Sequence, residues 1–80
     1  MSAGTQDVYA RYGLIGVESS WVDAVGYDRS KRALYVRFRS GVVCRYLGVE
    51  PSVYEEMMDA PSKGKFVHQR VKGWNYTIVS

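Results

Sequence analysis

The stretch Leu34-Tyr35-Val36-Arg37-Phe38-Arg39-Ser40-Gly41-Val42-Val43-Cys44-Arg45-Tyr46-Leu47 decides the fold. Leu34, Val36 and Phe38 alternate with Tyr35, Arg37 and Arg39, the period of a strand with one apolar face. Ser40-Gly41 punctuates, and Val42 to Leu47 reads as a second strand returning antiparallel to it. A two-residue loop at Ser40-Gly41 would set Val36 opposite Arg45 and drive that arginine into the core. A loop longer by one residue, with a bulge at the glycine, pairs Phe38 with Cys44 and Val36 with Tyr46. A one-residue slip turns every side chain to the other face, so burial selects the longer loop. Leu34, Val36, Phe38, Cys44 and Tyr46 are then expected inside, and Tyr35, Arg37, Arg39 and Arg45 together on the other face.

Working outward, residues 21–27 are β-branched and aromatic and lead into the turn Asp28-Arg29-Ser30-Lys31, so a strand precedes this hairpin. Downstream, Pro51 suits a first helical position, and Val53, Tyr54, Met57 and Met58 recur at helical spacing. Pro61 ends that helix. Ser62 caps a second one, expected to reach Lys72 and stop at Gly73. Phe66, Val67 and Val71 face inward. Arg70 lies near the apolar side and needs a carboxylate such as Glu55 or Glu56. Trp74, Tyr76 and Ile78 alternate with Asn75 and Thr77, which fits either a fourth strand or an extended tail. Residues 1–16 show no sustained period beyond a marginal helical turn near Val8 to Tyr12, and read as a flexible tail ahead of a single domain over 17–80. The fold class is therefore α+β: a three-stranded antiparallel meander, with a fourth C-terminal strand left open, and two helices packed on one sheet face.

The 80 residues are 46% hydrophobic and 14% aromatic with a net charge of +3, which fits one small core and excludes a disordered or fibrous chain. No apolar run is long enough to span a membrane, and the N-terminus has no secretory pattern. One cysteine leaves no internal disulfide, so a reduced, cytoplasmic setting is expected. Charge is laid out in blocks. Residues 29–49 hold Arg29, Lys31, Arg32, Arg37, Arg39 and Arg45 and no acid, whereas residues 50–60 hold Glu50, Glu55, Glu56 and Asp59 and no base.

Glu18-Ser19-Ser20, Val25-Gly26-Tyr27-Asp28, Leu34-x-Val36-x-Phe38, Ser40-Gly41, Tyr46-x-x-Val49-x-Pro51-x-Val53-Tyr54 and Ala60-x-Ser62-x-Gly64-x-Phe66 follow one another in that order. This ordered set resembles the KTSC family, small bacterial and phage domains that also occur at the C-terminus of some lysyl-tRNA synthetases. The resemblance spans roughly residues 17–76 and implies no established activity; RNA binding has been suggested for the family from its synthetase context. The chain departs from the family's central Tyr-x-Tyr, which reads Cys44-Arg45-Tyr46 here, and has His68 where the family has Asn. Both positions of the central motif fall on the inward phase, so the cysteine is expected to be a core substitution.

Catalysis has little to draw on. A cysteine nucleophile needs a base within reach and an electropositive, exposed setting, whereas Cys44 is expected inside the helix layer and His68 outside it. A lone histidine among scattered acids makes no metal site, and no cofactor is expected. Ser62-Lys63-Gly64-Lys65 lacks the spacing of a nucleotide loop. Arginines interleaved with an aromatic on an open sheet face suit single-stranded nucleic acid, the guanidinium groups meeting phosphates and the ring a base. The expected contacts are Arg29, Lys31, Arg32, Tyr35, Arg37, Arg39, Arg45, Lys63 and Lys65. The sequence thus reads as a non-enzymatic module for single-stranded RNA or tRNA. The alternative is a protein-interaction module whose basic surface meets an acidic partner or another copy of itself.

Overall fold

The computed structural model describes residues 9–17, 21–71 and 75–79. Five strands form one antiparallel sheet in chain order: β1 (Ile15–Gly16), β2 (Val22–Asp28), β3 (Ala33–Phe38), β4 (Val43–Tyr46) and β5 (Tyr76–Ile78). Helix α1 (Pro51–Asp59) and the short α2 (Lys63–Phe66) follow β4, and α2 continues as a wider π-type turn over Val67–Val71. Pro51 opens α1 as its sequence position implied. At the other end, the Lys63 ammonium donates to the Met58 and Ala60 carbonyls at 2.9 Å each, meeting oxygens the helix leaves unpaired. The Ser62 hydroxyl accepts from the Lys65 amide at 3.3 Å and caps α2. The expected stop at Gly73 lies outside the described residues.

The hairpin register differs from the expected one by two residues. Val36 pairs with Cys44 and Leu34 with Tyr46. The loop takes in Arg39 rather than Val42: the Gly41 amide donates to the Phe38 carbonyl, and the Phe38 amide to the Val42 carbonyl, at 2.9 Å each. Gly41 has φ +97°, the left-handed bulge position of a three-residue hairpin loop. A two-residue shift keeps the parity, so the face assignment survives although the partners change. The β4–β5 pairs Cys44–Ile78 and Tyr46–Tyr76 settle the C-terminal segment as a strand.

Both faces of the sheet are covered. Val22, Val25, Leu34, Val36, Cys44 and Tyr46 pack against Met57, Phe66 and Val67 of the helix layer. Tyr27 stacks on Tyr54 of α1 at 4.9 Å. On the opposite face Leu14, Ala24, Ala33, Tyr35 and Val43 form a second cluster with Tyr9, Tyr12 and Val79 against it. Residues 9–16, expected in a flexible tail, are instead a strap: residues 9–12 are helical, β1 pairs with β2, and Leu14 is buried. The strap can lie down because β2 offers Gly26 beneath it. A Cβ there would collide with the Tyr12 carbonyl oxygen and come within 2.8 Å of that of Gly13. A glycine inside a strand marks such a close backbone approach.

Candidate nucleic-acid interface

The expected open basic face is not open. Tyr35 is 7% exposed and stacks under Tyr12 with ring centroids 4.8 Å apart, so its ring has no room for a base. A bulge in β2 inserts Asp23 between Val22 and Ala24 and re-aims its carboxylate across the sheet. Asp23 takes Arg37 in an ion pair and accepts a hydrogen bond from the Tyr9 hydroxyl at 2.8 Å, while the Arg37 guanidinium sits 5.7 Å from the Tyr9 ring centre. The Tyr9 hydrogen bond, aided by Arg37, holds the Asp23 carboxyl below its ordinary range, and the same bond pushes the Tyr9 phenol up. Arg37 is thus a structural cation that ties the strap to the sheet rather than a solvated phosphate contact. Arg39 is exposed beyond it.

The β2–β3 turn is built by Asp28, whose Oδ1 accepts from the Ser30 amide (3.0 Å), the Ser30 hydroxyl (2.6 Å) and the Lys31 amide (3.2 Å). These bonds, that of the Ser30 hydroxyl foremost, keep its pKa low. Acidic partners from the 50–60 block meet the turn's arginines: Arg32 lies 2.9 Å from Glu50, and Arg29 lies 3.6 Å from Glu55. Arg70 reaches Glu56 at 2.8 Å, the carboxylate its position demanded, with its guanidinium 5.2 Å from the Phe66 ring centre.

Between the turn and the strap lies a cleft of about 740 Å3. Arg11, Tyr12 and Gly13 of the strap form one side, Asp28 to Lys31 the other, and Tyr27, Tyr35 and Arg45 complete it. Tyr35 and Arg45 are directly paired across β3 and β4, which is why they arrive together. Among the described residues, Arg11, Lys31 and Arg45 have no carboxylate within ion-pair distance. The Arg45 Nε is moreover buried without a hydrogen-bond acceptor. Of the nine expected contacts the cleft therefore gathers Arg29, Lys31, Tyr35 and Arg45. It leaves out Arg32, Arg37 and Arg39, and Lys63 and Lys65 belong to the helix layer. Sequence reasoning missed Arg11 and Tyr12; Gly26 was the available sign that a segment crosses that face.

Cys44 and His68, expected on opposite sides of the helix layer, both line a second groove of about 430 Å3 together with Trp21, Phe38 and Tyr76. The thiol is 5% exposed and burial pushes its pKa up, away from a reactive thiolate. The His68 ring meets Trp21 edge-on at 5.5 Å. Among the described residues no three His, Cys, Asp or Glu side chains gather as metal ligands, and no helix is long and apolar enough to cross a membrane.

The overall fold is shared with solved proteins. The crystal structure of a KTSC domain protein from Yersinia pestis superposes with a TM-score of 0.81 at 32% identity, over 84% of this chain and 96% of that one. The family model for the KTSC domain matches residues 18–76. The chain belongs to the KTSC domain family. It is 41% identical over 56 residues to a protein of Tsukamurella paurometabola, covering 70% of this chain and 84% of that one. It is also 38% identical over 72 residues, 90% of its length, to a lysine–tRNA ligase of Nostoc sp., and spans 13% of that enzyme.

Proposed function

We propose that this domain is a non-enzymatic RNA-binding module whose contact site is the cleft between the strap and the β2–β3 turn. One observation carries the reading: Arg11, Lys31 and Arg45 converge on one cleft with no carboxylate within ion-pair distance among the described residues, while Arg29, Arg32, Arg37 and Arg70 each have one. Unneutralised cations beside tyrosine rings match the two demands of an unpaired strand, phosphate and base. Similarity to a stretch of a lysine–tRNA ligase, an enzyme whose name specifies a tRNA substrate, supports RNA over DNA.

The test is an anisotropy titration of short single-stranded RNA at several salt concentrations. Each phosphate neutralised contributes about −0.7 to the slope of log K against log salt. Arg11→Gln, Lys31→Gln and Arg45→Gln should each flatten the slope by about that amount. Arg32→Gln, whose charge Glu50 already balances, should change it far less. Absence of binding at low salt, or equal effects from all four variants, overturns the reading. The exposed Trp21 and Tyr76 beside the second groove would then make a protein partner the leading alternative.

A further inference from the structure

We infer that the cleft is a pocket for one unpaired nucleotide rather than a segment of a longer track, and that Gly26 is the positioning residue that seats its strap wall. This rests on the RNA-binding reading and deepens it. The cleft's 740 Å3 lies within the range of about 300–1,000 Å3 that holds a single small ligand. A track needs cations repeated along a surface, and here three of the candidates are already taken. Arg32 is paired with Glu50 and Arg37 with Asp23, while Lys63 is spent on the carbonyl end of α1. Within the cleft, Arg11, Lys31 and Arg45 have no carboxylate within ion-pair distance among the described residues, enough charge for one phosphate and its immediate neighbours. Tyr12 is half-buried and stacked on Tyr35 through one face of its ring, and it lines the cleft where a base attached to that phosphate can be held.

The wall carrying Arg11 and Tyr12 exists only while the strap lies on β2. Its carbonyls at Tyr12 and Gly13 pass so close to Gly26 that any side chain there lifts them. The Tyr9–Asp23 hydrogen bond and buried Leu14 fasten the strap on either side of that crossing. Gly26 touches no ligand. It acts through the placement of Arg11.

The experiment is calorimetric titration of the full chain, at low salt, with uridine monophosphate, triuridylate, dodecauridylate and a twelve-base-pair RNA duplex. Triuridylate should bind within about threefold of dodecauridylate per site, and the duplex should be at least about tenfold weaker, because its bases cannot enter a pocket. Uridine monophosphate binding as tightly as triuridylate would identify the ligand as a free nucleotide and overturn the assignment to a strand. Gly26→Ala should weaken triuridylate binding about as much as Arg11→Gln does, and the double variant should be no weaker than the more affected single one. Should Gly26→Ala melt below the assay temperature, Tyr9→Phe loosens the same strap more gently and should show a loss in the same direction.

Affinity that climbs with every added nucleotide, or a duplex bound as well as the single strand, would establish a track and overturn the pocket while leaving RNA binding intact. Full additivity of Gly26→Ala and Arg11→Gln would overturn the positioning role. No binding by any RNA overturns the parent reading instead.

Discussion

Tyr35 is the residue on which sequence periodicity and three-dimensional packing disagree most, and Tyr35→Ala separates them. On an open sheet face the ring would stack on a base, and its loss would cost affinity with the fold unharmed. In the structure it is 7% exposed, stacked on Tyr12 and enclosed by Leu14, Ala24, Ala33 and Val43. Truncating a buried aromatic removes its transfer free energy and leaves a cavity, together about 3–5 kcal/mol. A domain of this size holds roughly 4–12 kcal/mol in all. Even the lower cost should depress the melting midpoint by roughly 12–24 °C, taking about 4–8 °C per kcal/mol at this length. Near-ultraviolet circular dichroism during a thermal melt reads it, since the tyrosine stack reports tertiary packing directly. Tyr35→Phe keeps the ring and should melt within a few degrees of the wild type. A Tyr35→Ala variant with an unchanged midpoint and weakened RNA binding would refute the buried assignment and restore the open-face reading.

Cys44, buried and with its thiol pKa raised by desolvation, should react with a thiol reagent far more slowly in the native state than after denaturation. Rapid stoichiometric labelling of native protein would show that the inward phase of β4 is wrong. Asp23 predicts an acid dependence. Its folded pKa lies below the ordinary value of 3.8, so the stability it confers is complete above that value and is lost as pH falls through the folded pKa. Asp23→Asn should therefore melt lower than the wild type at pH 6, with the difference shrinking towards pH 2. A constant difference across that range would mean that the carboxylate's charge does not hold the strap.

The parts of the fold legible in the sequence are those set by local periodicity. Alternation at Leu34, Val36 and Phe38 fixes which way each side chain points, and Pro51, Pro61 and Ser62 mark the helix ends. Exact pairing was less accessible. Residues 39–42 permit loops of the same parity in two registers, and only the left-handed backbone at Gly41 chooses between them. The second face was misread for a different reason. Tyr35, Arg37 and Arg45 look like a solvent face because basic residues interrupt the apolar ones. What covers them comes from residues 9–14, remote in sequence and too short to show a period. Tyr9, Tyr12 and Leu14 in an apparent tail, with glycine inside a strand at Gly26, were the signals available.

Charge explains why the candidate site is smaller than the sequence suggested. The basic block at 29–49 and the acidic block at 50–60 look like separate surfaces in one dimension, but the chain turns at Gly48 and brings α1 back across the sheet. Glu50 and Glu55 thereby reach Arg32 and Arg29, and the β2 bulge delivers Asp23 to Arg37. The exposed Arg29–Glu55 and Arg32–Glu50 pairs contribute little to stability, about 0–1 kcal/mol each. They do remove free positive charge from the surface, and so they act on recognition more than on folding. Arg45 and Lys31 lie where no segment of the acidic block passes, and the strap adds Arg11 beside them. The cleft is therefore positive because of what the fold leaves uncompensated, a property that no count of arginines along the chain can supply.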